Sequence, residues 1–185
     1  VHFIRPAEIA QDDSTDFEVF SHAIEFERLH EPETATYWLH LRPTTPMRDP
    51  SQLVKAIKSF LTNPNRPSSL RSVQKTELPI LKWCVENDLG FLTSLAGNPR
   101  LDLINLPRQN YDPVFIPNGY IDIIRSDNVV DGQFLHGDKC LGFLTQPLSD
   151  IDSIEDLTHL TTIGQRAPKL EAWLISQYGL DPTIT

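Results

Sequence analysis

The chain has 185 residues, enough for one domain with a sizeable core, and its 39% hydrophobic and 22% charged residues are those of a globular protein. A formal net charge of −9 argues against a nucleic-acid surface, and no apolar run approaches the roughly 18 residues of a membrane span. A small anionic ligand would meet overall repulsion and would need local Lys or Arg, or a divalent cation, to bind.

Cys84 and Cys140 stand in no ligand-like spacing and read as free thiols in a reducing compartment. No basic-then-apolar signal peptide opens the chain, so a cytoplasmic protein is the expectation. The first residues, "VHFIRPAEIA", lack an initiator Met and read as the tail of a strand, which predicts a fragment whose preceding elements are absent.

"STDFEVFSHAIEFERLHEP" follows as a helix, with Phe17, Phe20 and Ile24 on one face and Val19, Ala23 and Phe26 on a neighbouring one. Thr15 with Glu18 has the form of a capping box, and Pro32 closes the segment. "TYWLHL" (36–41) is a short strand, and "RPTTPMRDP" a stiff loop. A second helix, capped by Asp49 and opened by Pro50, buries Leu53, Val54, Ile57, Phe60 and Leu61.

"SLRSVQ" (69–74) reads as a strand, after which residues 75–117 lose periodicity. That stretch holds Trp83, Phe91, Tyr111 and Phe115, too many aromatics for disorder, and is expected to be an interface or a lid. "GYIDII" (119–124) and "CLGFLTQ" (140–146) are strands, a helix starts near Ser153, and "APKLEAWLISQYG" is a last helix stopped by Gly179. Strands alternating with helices predict an α/β layered fold with a largely parallel sheet.

Ligands of open α/β sheets bind beyond the carboxyl ends of the strands. "RPTTPMR", "RSDN" (125–128) and "LSDIDSIEDL" (148–157) fall there. In an extended strand Asp150 and Asp152 would share a face about 6.6–6.8 Å apart, a spacing at which two carboxylates can hold one hard cation. Alternatively, Asp152, Glu155 and Asp156 read as the acidic start of a helix capped by Ser153. Arg42 and Arg48 offer forks suited to carboxylate or phosphate, with Thr44 and Thr45 held between them, or else they are solvated residues of a rigid turn. Asn118-Gly119 suits a tight turn with positive φ. Asp122 faces away from Ile121 and Ile123, toward a site or toward solvent. The six histidines have no metal-site spacing and read as structural, and no nucleophile-elbow or phosphate-loop motif occurs.

Taken in order, "RPAEIAQD" (5–12), "LRPTTPMR" (41–48), "LPILKW" (78–83), "PRQNYDPVFIPNG" (107–119) and "SDIDSIEDL" (149–157) resemble the acylneuraminate cytidylyltransferases, the CMP-sialic acid synthetase family. These enzymes activate nine-carbon α-keto acid sugars with CTP. The resemblance implies a three-layer Rossmann-like nucleotide-sugar transferase fold of one domain over 1–185, with residues 75–117 as a dimerisation and sugar-contacting insert. The family's first βα unit, whose Gly-, Lys- and Arg-containing loop cradles the CTP phosphates, has no counterpart here, so the chain alone is expected to be inactive.

By the same resemblance Arg5 would lie by the nucleotide, and Asp150 and Asp152 would hold Mg²⁺. Lys82 and Arg108 would reach the sugar of a neighbouring subunit in a homodimer. Arg42, Thr44, Thr45, Asn118 and Gly119 would line the sugar site. Asp16, Arg42 and Asp122 replace the Ser, Gln and Tyr that sialic acid enzymes often carry, which leaves a legionaminic- or pseudaminic-type sugar as an alternative to N-acetylneuraminate. Two rival readings are a dimerisation or binding module without catalysis, and a same-fold transferase for another nucleotide or sugar.

Overall fold

The structure, a computed structural model, describes residues 4–46, 48–97 and 100–148, together with Ile151, Ser153 and Asp156. The last predicted helix, over 167–179, lies outside the described residues. Ile4, Arg5 and Pro6 form no strand, and a short 3-10 turn, Ala7–Ile9, comes first instead; Pro6, with its fixed φ, sits at its N-cap.

Helix α1 runs Asp16–His30 and begins with the expected capping box. The Thr15 hydroxyl accepts from the Glu18 amide at 3.3 Å, and the Glu18 carboxylate accepts from the Thr15 amide at 2.7 Å. Strand β1 is Tyr37–His40, and helix α2 is Pro50–Leu61, with the Asp49 carboxylate accepting from the Ser51 amide at 2.8 Å and Pro50 in its first turn. Strand β2 is Ser69–Lys75, β5 is Phe115–Arg125 and β6 is Cys140–Leu144; a short helix α3, Ser126–Val130, follows β5.

These four strands form one sheet in the order β1-β5-β2-β6. β1, β2 and β6 run in a common direction, while β5 is antiparallel to both of its neighbours, so the only parallel pairing among the described residues is β2 with β6. The expected parallel bias therefore holds for strand direction and not for pairing. β1, α2 and β2 make a crossover unit, and β5 slots between its two parallel strands, where only the opposite direction gives antiparallel ladders on both sides. The fold is mixed α/β.

Successive residues of β5 point to opposite faces. Ile121 and Ile123 pack with Leu70, Ala56 and Phe60 under α2; Ile124 packs with Phe20, Ile24 and Val129 under α1 and α3. A helix thus covers each face of the sheet. Each fully buried Ile or Leu contributes about 1.5–3 kcal/mol relative to an exposed one. On α2, Ala56 and Phe60 form the buried line, whereas Val54 and Leu61 are exposed, contrary to the sequence expectation. The apolar stripe predicted for α2 was too broad for the single sheet face it meets.

Within the insert, a 3-10 turn at Ile80–Lys82 leads into a two-stranded hairpin, β3 (Cys84–Glu86) with β4 (Leu92–Ser94). The two free cysteines, Cys84 and Cys140, sit in β3 and β6. Among the described residues, no helix is long and apolar enough to cross a membrane.

Candidate functional site

The pairing of β2 with β5 jumps from Arg71↔Asp122 to Val73↔Pro117, so Asn118–Ile121 bulge out of the ladder. The Ser72 hydroxyl accepts from the Ile121 amide at 2.9 Å in place of a backbone carbonyl. Gly119 makes the bulge possible: its φ is +64°, and a Cβ there would lie 2.6 Å from Cδ of Arg42.

Loop 42–48 folds onto this bulge. Arg48 donates from Nε to the Tyr120 carbonyl at 2.7 Å and from Nη2 to the carbonyls of Gly119 at 3.0 Å and Arg42 at 2.7 Å. Thr45 is buried, and its hydroxyl donates to the Asn118 carbonyl at 3.4 Å. Neither arginine of "RPTTPMR" is a solvated turn residue: Arg48 fastens the loop to β5, and Arg42 pairs with Asp16 at the start of α1.

The end of β6 arrives at the same place. Buried Asn118 donates from Nδ2 to the Thr145 hydroxyl at 2.6 Å, and Gln74 Oε1 accepts from the Leu148 amide at 3.0 Å. The Ile151 amide donates to the Thr44 carbonyl at 2.8 Å. The residue between the two aspartates is thereby tied to loop 42–48. Just beyond it, Asp156 Oδ2 accepts from both the amide and the hydroxyl of Ser153 at 2.9 and 2.7 Å, and the Asp156 amide donates back to the Ser153 hydroxyl at 3.2 Å. The expected Ser153 cap is present, and Asp156 is consumed by it. Asp150 and Asp152 themselves lie outside the described residues.

Asp122 is not solvated. It is 2% exposed, flanked across the sheet by His40 on β1 and Arg71 on β2. Its carboxylate lies 3.9 Å from His40 Nδ1 and 3.6 Å from Arg71 Nε. The His40 ring meets Phe20 edge-on, with centroids 5.3 Å apart. Burial holds the His40 and His136 imidazoles below the usual 6.5; for both, the Asp122 and Asp16 carboxylates pull the other way and do not overcome it.

The remaining expected residues are apart from this group. Lys82 lies in the insert with its ammonium 5.7 Å above the Tyr111 ring, beside a cleft of about 420 Å³ that Lys75, Glu77, Leu78 and Asp112 also line. Arg108 opens the 3-10 turn Arg108–Asn110, and its side chain lies outside the described part of the structure. Arg5 is exposed. Sequence reading missed Arg71 and His40 as neighbours of Asp122, since cross-strand register has no local signature. It also missed Gln74 and Thr145, which fix Asn118.

Among the described residues no three His, Cys, Asp or Glu side chains converge to hold a metal. No protein-family model matches the chain, and no curated protein matches it in sequence.

Proposed function

We propose that the chain is the sugar-binding portion of a CTP-dependent cytidylyltransferase that converts a sialic acid or a related nonulosonic acid to its CMP-sugar, with release of pyrophosphate. On this reading the sheet with its two helix-covered faces belongs to a three-layer Rossmann-like nucleotide-sugar transferase fold, and the protein works as a cytoplasmic homodimer. The observation that carries the reading is a convergence. Loop 42–48, the Asn118–Ile121 bulge and the residue between the two aspartates are far apart in sequence, and hydrogen bonds from Arg48 and Ile151 join them at one place. They belong to three of the five segments on which the family resemblance rests.

In the proposed reaction the anomeric hydroxyl of the keto acid sugar attacks the α-phosphorus of CTP in line. The new P–O bond forms as the bond to the β-phosphate bridging oxygen breaks, pyrophosphate leaves, and the hydroxyl proton passes to solvent. Positioning and charge neutralisation carry such transfers. Asp150 and Asp152 would hold Mg²⁺, which when bound neutralises the phosphates and acidifies the attacking hydroxyl.

Arg42 is already neutralised by Asp16, so Lys82 and Arg108 are left to balance the carboxylate of the sugar. Thr44 and Asn118 hold their segments in place through Ile151 and Thr145, and Gly119 keeps the bulge open for Arg42.

The exposed apolar residues of the insert, Trp83, Val85, Leu89, Phe91 and Leu92, fit a dimer contact that would bring Lys82 to the neighbouring site. The test is pyrophosphate release by the complete gene product with CTP, UTP or ATP and a panel of N-acetylneuraminate, legionaminate and pseudaminate. Release with CTP and at least one of these acids is expected. Release with UTP or ATP alone, or with none, contradicts the proposal.

A further inference from the structure

Gln74, the last residue but one of β2, has half of its side-chain amide committed and half free. Its Oε1 accepts from the Leu148 amide at 3.0 Å and from Asn118 Nδ2 at 3.4 Å. A backbone N–H can only donate, so the carboxamide cannot turn over without setting its own N–H groups against that of Leu148. The amide is therefore fixed with its two N–H donors on the side away from Leu148. Nε2 has no hydrogen-bond partner among the described residues, yet it is not among the unpartnered polar atoms there that are shut off from solvent. Gln74 is half-buried, and this donor is the part of it that a solute can reach.

Its place in the sheet gives the free donor a use. Strands β1, β2 and β6 run in one direction, so their carboxyl ends share an edge, from which loop 42–48 and the chain after β6 both leave. Ligands of open α/β sheets bind beyond that edge. Gln74 lies there, tied on one side to the bulge at Asn118 and on the other to Leu148, just ahead of the acidic stretch.

We propose that Gln74 binds a carbonyl oxygen of the substrate through Nε2, that of an acylamino group on the sugar, and is a specificity-determining residue. The inference rests on the nonulosonic acid reading for the identity of the substrate. Because Oε1 is taken, Gln74 can give hydrogen bonds but not receive them, which suits an acceptor that carries no proton of its own. A hydroxyl would bring a proton in need of another acceptor, and an ammonium would set donors against donors. A carboxylate is better met by the charged Lys82 and Arg108 already proposed for it, since charge-assisted bonds are about twice as strong as neutral ones. An amide carbonyl fits on each count.

The experiment uses the complete gene product and its Gln74→Glu and Gln74→Leu variants. Glu keeps an oxygen for Leu148 and Asn118 and replaces the N–H donors with a second oxygen, whereas Leu removes donors and acceptor together. Calorimetric titration compares N-acetylneuraminate, legionaminate and pseudaminate with counterparts that carry a hydroxyl in place of one acylamino group. Pyrophosphate release with CTP is scored separately. The native protein is expected to bind at least one acylated acid roughly tenfold more tightly than its counterpart. Gln74→Glu should bring that ratio to about one or lower while its Tm stays within about 2 °C of the native value. Gln74→Leu should lose the ratio as well, and several degrees of Tm with it, because the Leu148 amide is left without its acceptor.

A native ratio near one, or a native-like ratio in Gln74→Glu, overturns the proposal. A fall in Tm of more than about 5 °C in Gln74→Glu does so too, since Nε2 would then be bonded within the fold. With pyrophosphate released, each of these outcomes sinks the role of Gln74 alone. A ratio that depends on Gln74, without release, sinks the cytidylyltransferase reading alone. No binding of any of the three acids sinks both.

Discussion

The four-stranded sheet and the insert between β2 and β5 are built from similar apolar residues and use them in opposite ways. In the sheet, Leu70, Ile121, Ile123 and Ile124 are fully buried under helices on both faces. In the insert, Leu89 is 79% and Phe91 67% exposed, on a hairpin of two three-residue strands. A two-stranded ribbon is marginal by itself. What holds this one is local: Asn87 Oδ1 accepts from the Leu89 and Phe91 amides, both at 3.0 Å, and Gly90 takes a φ of +79°. The sheet carries the stability of the described fold, and the insert spends its apolar surface outward.

The most direct way to break that contrast is Ile123→Ala, which should cost about 2–5 kcal/mol in urea unfolding because a buried side chain leaves a cavity between well-packed layers. Arg48→Met comes next, since it frees three backbone carbonyls at the junction of loop 42–48 with β5. A loss of about 1.5–3 kcal/mol is expected, with greater protease cleavage in that loop. Thr15→Ala removes the capping box of α1 and should cost about 1 kcal/mol by the same unfolding assay.

Acidification sharpens the contrast without mutation. His40 and His136 have folded pKa values below the unfolded 6.5, so the unfolded state binds more protons once pH drops below that value. Stability should fall as pH decreases from 6.5 toward the folded pKa values and level off below them, and His40→Gln should flatten the slope of Tm between about pH 7.5 and about pH 5.5. The smallest effect belongs to the insert. Leu89→Ala should change unfolding free energy by no more than about 0.5 kcal/mol, and a larger loss would mean that the hairpin is part of the core.

Much of the sheet region was legible because its signals are local. Thr15-x-x-Glu18, Asp49-Pro50 and Ser153-x-x-Asp156 each announce a helix start through side chains that reach only two or three residues, and all three are observed. The alternation around Asp122 correctly turned it away from Ile121 and Ile123. The direction of β5 was not legible, since no local pattern states that a strand will slip between β1 and β2.

Register was hidden for the same reason, and with it the row that places His40 and Arg71 beside Asp122. The β3–β4 hairpin was read as irregular although Asn87 and Gly90 bracket its turn; short strands with exposed apolar residues give no alternation to find. At the candidate site, the residue types of loop 42–48 suited either anion binding or a rigid turn with solvated arginines, yet Arg48 proved to be a fastener and Arg42 a partner of Asp16.

The proposed transfer of a cytidylyl group is tested most directly by following the ³¹P spectrum of CTP with the complete gene product, Mg²⁺ and the nonulosonic acids. The account predicts that the triphosphate resonances give way to pyrophosphate and a new phosphodiester, and that Asp152→Asn abolishes the change while leaving the folded protein intact. A triphosphate that persists with the native protein and every one of the acids, or an Asp152→Asn variant as active as the native protein, would contradict it.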